Sequence, residues 1–193
     1  MDPVLDRIHF SGNPWPEGHA VTEFAWTVRV LDSVVWCDLH LRSADYYAER
    51  DIEDEEDGET IDDERTDWES PIVWGNYHRC TLSSTYWDND RGFPLCATGD
   101  FTPDWLDGRT FEVDAIAGGT LAGVELDDLS FHIYLLGHDS VANHRIAFQR
   151  VGDSDRFDIT WTGDIALTYA GDDDLAHRFE ARIHAVPLPQ LSA

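Results

Sequence analysis

Residues 157–169, FDITWTGDIALTY, alternate between apolar and polar positions without a break. Phe157, Ile159, Trp161, Gly163, Ile165, Leu167 and Tyr169 fall on one side. Asp158, Thr160, Thr162, Asp164, Ala166 and Thr168 fall on the other. A period of two predicts a long strand with one buried face, or two strands meeting at Gly163. AGDDD at 170–174 supplies turn chemistry, and HRFEARIHA after it alternates again, as a hairpin partner should.

The same pattern appears near the start. In VTEFAWTVRVL, Phe24, Trp26, Val28 and Val30 oppose Glu23, Thr27 and Arg29. A short Asp32–Ser33 turn leads to VVWCDLHLR, where Val35, Cys37, Leu39 and Leu41 oppose Trp36, Asp38, His40 and Arg42. This predicts a second hairpin over residues 21–42. Further strands are expected near 4–10, 71–77, 78–85, 109–117, 129–137 and 145–151. SADYYAER, residues 43–50, is the one expected short helix, with Ser43 as N-cap. About nine or ten short antiparallel strands joined by Gly, Pro and Asp turns predict an all-β domain, a sandwich or a barrel. At 193 residues with 42% hydrophobic content, one domain with a full core is expected.

The acidic run DIEDEEDGETIDDERTDWES, residues 51–70, has no apolar period and is expected to be a flexible connection. Charge then changes the picture for the whole chain. There are 39 acids against 13 bases, every base is an arginine, and the formal net charge is −26. Such a field repels phosphate backbones and anionic membranes, so neither nucleic acid nor a membrane is an expected partner. No stretch approaches the ~18 apolar residues of a membrane helix. The N-terminal MDPVLDRIHF lacks the apolar core of a signal peptide, so the expected location is the cytoplasm. Within the run, twelve carboxylates face Arg65 alone. It therefore contributes −11 of the −26 and leaves −15 for the other 173 residues. The run is an extreme of a global property.

Candidate chemistry is sparse. Glu53, Glu55, Asp57, Gly58 and Glu64 can be laid on a twelve-residue calcium loop, but Glu stands at the first and third positions and no amphipathic helix flanks it. His132, His138 and His144 recur at intervals of six; His132 is expected on a polar strand face, and the other two in the following turn. Cys37 and Cys80 lie in strand-like runs, as buried thiols do. His78 and Cys80 are spaced for one strand face, where a dyad is conceivable. No nucleophile elbow or phosphate-binding loop is present. Neither a metal nor another cofactor is expected.

Eight tryptophans complete the inventory. Trp26 and Trp161 belong to apolar faces, whereas Trp15, Trp68, Trp87 and Trp105 stand in loop contexts. Exposed Trp beside acids can anchor a basic partner. The leading expectation is a non-enzymatic acidic binding protein that masks a basic partner surface, as an immunity protein, antitoxin or nucleic-acid mimic does. The expected contact residues are Asp51, Glu53, Asp54, Glu55, Glu56, Asp57, Glu59, Asp62, Asp63, Glu64 and Asp67, with Trp68 as anchor. The alternatives are a calcium-assisted carbohydrate-binding module and a soluble β protein whose charge reflects a halophilic or GC-rich source. A monomer or small homo-oligomer is expected.

Overall fold

In the computed structural model, residues 6–46, 67–85 and 92–191 are described. The alternating run at 157–169 forms β9 (Arg156–Ala166) and then a 3-10 turn at Thr168–Ala170. It pairs antiparallel with β10 (His177–Pro187), with Ile183 opposite Ile159 and Phe179 opposite Gly163. The first expected hairpin is β2 (His19–Leu31) and β3 (Val34–Ser43). Asp32 and Ser33 between them have φ of 50° and 65°. Two left-handed residues give the turn a twist that matches the strands it joins.

These hairpins are parts of one closed ring. In order around it run β2, β1 (Arg7–Phe10), β10, β9, β8 (His138–Arg150), β7 (His132–Tyr134), β4 (Thr81–Ser83) and β3, which pairs back to β2. The architecture is an antiparallel eight-stranded barrel, the second of the two expected forms. Two further strands extend it. β5 (Phe93–Ala97) pairs with the first half of β3, and β6 (Thr110–Val113) with the second half of β8. Between β3 and β8 the wall is therefore β4 and β7 at one end. At the other end Phe93 and Phe111 meet at 5.7 Å.

Inward positions fill the barrel. Phe131, Ile146, Phe148, Phe157, Ile159, Trp161 and Phe179 are all buried. Trp26, at the rim of this core, contacts Phe148 and Phe157. The opposite end is capped by rings, with Trp74 against Phe10, Trp15, Tyr46 and Trp68 at centroid distances of 4.9–5.7 Å, and Phe10 edge-on to Trp68 at 6.2 Å.

Several expected elements differ. Residues 71–77 are no strand: Pro71–Trp74 is a single helical turn, α1. Pro71 suits a first helical turn, where its missing N–H is no loss. Ser43 is no helix cap; it closes β3, accepts Cys80 N–H at 3.0 Å and donates to Ala44 O at 2.7 Å. Ala44–Tyr46 is not helical, and 47–50 lie outside the described residues. A second short helix, α2 (Pro103–Leu106), was not expected; Thr102 Oγ1 accepts Trp105 N–H at its start. Neither His138 nor His144 is in a turn, because β8 begins seven residues earlier than the expected strand at 145.

Candidate functional site

Asp51, Glu53, Asp54, Glu55, Glu56, Asp57, Glu59, Asp62, Asp63 and Glu64 lie outside the described residues, as does the calcium-loop register. Asp67 is exposed at the start of a 3-10 turn. Trp68 is not the exposed anchor that its acidic neighbours suggested: it is 3% exposed. Its Nε1 donates to Ser11 O at 2.8 Å, and His177 stacks on its ring at 3.9 Å. Trp74 Nε1 in turn donates to Trp68 O at 2.8 Å. An indole with its N–H satisfied and its face covered is a structural peg. It ties the end of the acidic run to the aromatic cap.

The structure assembles a different acidic surface from two distant pieces of sequence. The long connection from β6 to β7 leaves the barrel at Asp114 and returns at Phe131. Its middle is fastened to the β9–β10 connection: Leu121 N–H donates to Asp173 O at 2.8 Å, and Leu175 N–H to Gly119 O at 2.9 Å. Leu121, Ala142 and Ala166, with Ile116, Val124 and Leu175 against them, form a small core of its own. On the outside of this lobe stand Glu125, Asp127, Asp128, Asp172, Asp173 and Asp174, all exposed. Leu126 and Tyr169 are exposed apolar residues on the same connections. No arginine lies between Arg109 and Arg145 or between Arg156 and Arg178. Sequence reading missed this surface because neither connection alone shows that it is bonded to the other.

Two left-handed residues root the lobe in the barrel. Asp114 and Asn143 both have φ of 52°. Asn143 N–H donates to Asp114 O at 2.9 Å, and Ile116 N–H to Asn143 Oδ1 at 2.7 Å. At the other end the Asp114 carboxylate accepts Ser130 N–H at 2.9 Å and Phe131 N–H at 3.3 Å. Burial raises the Asp114 carboxyl above its ordinary value, against the pull of these donors.

Comparison with protein-family models, with curated proteins and with solved structures found no significant match.

Among the described residues no three His, Cys, Asp or Glu side chains are grouped to hold a metal ion. His78 and Cys80 form no dyad: His78 is exposed before β4, and Cys80 is fully buried. Burial pushes the Cys37 and Cys80 thiols well above their ordinary value, so neither is a ready nucleophile. Asp38 is 5% exposed but already spoken for, paired with Arg29 and accepting Ser84 Oγ–H at 3.1 Å. On the outer face of β1 and β10, His9, Ser11, Arg178, Glu180 and Arg182 line a shallow depression. Arg182 is tied to Glu180 there at 2.6 Å. No helix among the described residues is long and apolar enough to cross a membrane.

Proposed function

We propose that this protein is a non-enzymatic acidic binding protein that masks a basic surface of a partner protein, in the manner of an immunity protein, antitoxin or nucleic-acid mimic, acting in the cytoplasm. The observation that carries the reading is the lobe: six exposed carboxylates held on a backbone-bonded ledge, with exposed Leu126 and Tyr169 on the same connections. An acidic field speeds capture of a cationic partner, and a fixed array of carboxylates loses less entropy on binding than a loose one. The acidic run at 51–70 adds −11 to the net charge of the chain.

The test is capture from the source cell at ~50 mM salt, identification of the retained protein, and a salt titration of the purified pair. The expected result is a basic partner whose association slows at least tenfold when Glu125, Asp127, Asp172 and Asp173 are changed to their amides. If no basic protein binds saturably, or if these changes combined with deletion of 52–66 leave binding intact, the reading fails.

A further inference from the structure

One histidine lies where almost no solvent reaches: His144 is 1% exposed. Pairing of β8 with β9 slips between Ala142 and Arg145, and the resulting bulge turns His144 into the core. The imidazole sits among Phe131, Trp161 and Phe179, with centroids at 4.6, 5.8 and 6.0 Å. Trp161 Nε1 donates to His144 Nδ1 at 3.1 Å. An indole N–H only donates, so Nδ1 carries no proton and the ring's own hydrogen is on Nε2. Nε2 has no hydrogen-bond partner, and Asp114 Oδ2 stands 3.8 Å from it.

We propose that the Asn143–His144 bulge is an acid-operated catch for the 114–130 lobe, with a seat that accepts the neutral imidazole and rejects the imidazolium. A second proton on His144 would sit on Nδ1 and meet the Trp161 N–H donor to donor. The hydrogen bond becomes a repulsion at a ring that is 1% exposed. The ring leaves, the bulge opens, and Asn143 lets go of Asp114 O and Ile116 N–H. Asp114 then no longer holds Ser130 and Phe131 in place.

The charged groups facing the catch are few. Asp114 faces His144 from the connection after β6, and His132 acts on Asp114 from β7. Asp164 of β9 accepts Asn143 Nδ2–H at 3.0 Å. The rings packed on His144 from the other sides are neutral. Burial lowers the His144 pKa to about 3, which agrees with the geometric reason. Asp114 acts in the opposite sense, because a raised carboxyl favours the closed form as it takes up a proton. The catch should therefore act as pH falls below the ordinary imidazole value of about 6.5, and Asp114 offsets it only as pH approaches that carboxyl's raised range. The catch is a property of the fold and holds whether or not the lobe binds a basic partner.

The experiment is amide hydrogen exchange by NMR on the full chain. At every pH, the Ile116, Ser130 and Phe131 amides should exchange through an opening smaller than the one that exposes Ile159 and Ala181. That opening should become about tenfold more populated from pH 6 to pH 5. His144→Gln, which cannot titrate, should flatten the dependence. A second readout needs no variant: nitrogen shifts of His144 in the closed form should show the Nε2–H tautomer at pH 7 and a neutral ring still at pH 5. Equal exchange in both amide sets, a pH-independent opening, or an imidazolium in the closed form would each overturn the proposal.

Discussion

Gly163→Ala adds one methyl group at the centre of the barrel, and its cost can be worked from neighbouring atoms. A Cβ at Gly163 would lie 2.6 Å from Phe179 Cε1, 2.9 Å from His144 Nδ1 and 3.1 Å from Ala142 O. Real Cβ atoms do not come so close to an aromatic carbon, so the Phe179 ring must move. Overpacking of this kind costs about 1–3 kcal/mol. Displacing His144 also weakens its bond from Trp161, worth about 1 kcal/mol. Two gains offset part of this. Alanine restricts the unfolded chain by about 0.4–1 kcal/mol relative to glycine, and burying a methyl contributes about 0.8 kcal/mol. Gly163 is not left-handed, so no backbone strain is added. The balance is a loss centred near about 1.5 kcal/mol, with extremes of about 0.2 and 3 kcal/mol, or roughly 3–6 °C in Tm at the centre for a chain of this size. Urea unfolding followed by Trp fluorescence measures it. Gly99→Ala is the control: no atom lies within 4 Å of its Cβ, so only the unfolded-state gain remains and it should be more stable than the parent by about 0.4–1 kcal/mol. Phe179→Leu should relieve the crowding. The double variant should then be more stable than the sum of the two losses by at least about 0.5 kcal/mol. A Gly163→Ala protein as stable as the parent, or strict additivity with Phe179→Leu, would refute the reasoning.

Acid should cost stability through the buried histidines. His19 and His144 are held at about 4 and about 3 in the fold, below 6.5, so the native state binds fewer protons than the unfolded state between those values. Stability is full above pH 6.5 and falls below it, by about 2 kcal/mol per histidine at pH 5. Urea titrations at pH 7 and 5 should show this loss in the parent and much less of it in a His19→Gln, His144→Gln protein. Trp74→Ala should cost about 3–5 kcal/mol in the same assay, because it removes a fully buried ring and the donor to Trp68 O. Thiol labelling of the native protein should reach the half-buried Cys96 first and leave Cys37 and Cys80 unreacted until unfolding. Raising potassium chloride from ~20 mM to ~1 M should increase Tm, since screening relieves self-repulsion at −26.

The strands that alternate cleanly were legible. Phe157, Ile159 and Trp161 point inward as their period requires, and Asp32–Ser33 turns as its residues suggest. Where the period breaks, the reading fails for a physical reason. Asn143 inserts one residue into β8 and sends His144 inward, so no strict alternation could place it. Pro71 starts a helical turn in a segment whose apolar residues also suit a strand. Trp68 shows the limit for single residues: acids on both sides said surface, while burial came from Ser11 and His177, far away in sequence. The acidic lobe was illegible for the same reason. The connections that carry Glu125, Asp127, Asp128 and Asp172, Asp173, Asp174 are joined by bonds at Gly119, Thr120, Leu121, Asp173 and Leu175, which no local pattern announces.

The barrel's last seam has a consequence for biosynthesis. β10 lies between β1 and β9, with Arg7 opposite Arg182 and Ile8 opposite Ala181. The earliest described strand must wait for the latest before the ring can close. On a ribosome adding about 5–20 residues per second, the edges of β1 and β9 stand open for seconds after they are made. Nascent chains with open strand edges tend to pair with one another. Here each waiting chain already carries most of its 39 carboxylates. Mutual repulsion keeps unfinished barrels apart until β10 arrives, so the charge that suits a binding surface also guards the assembly of the fold.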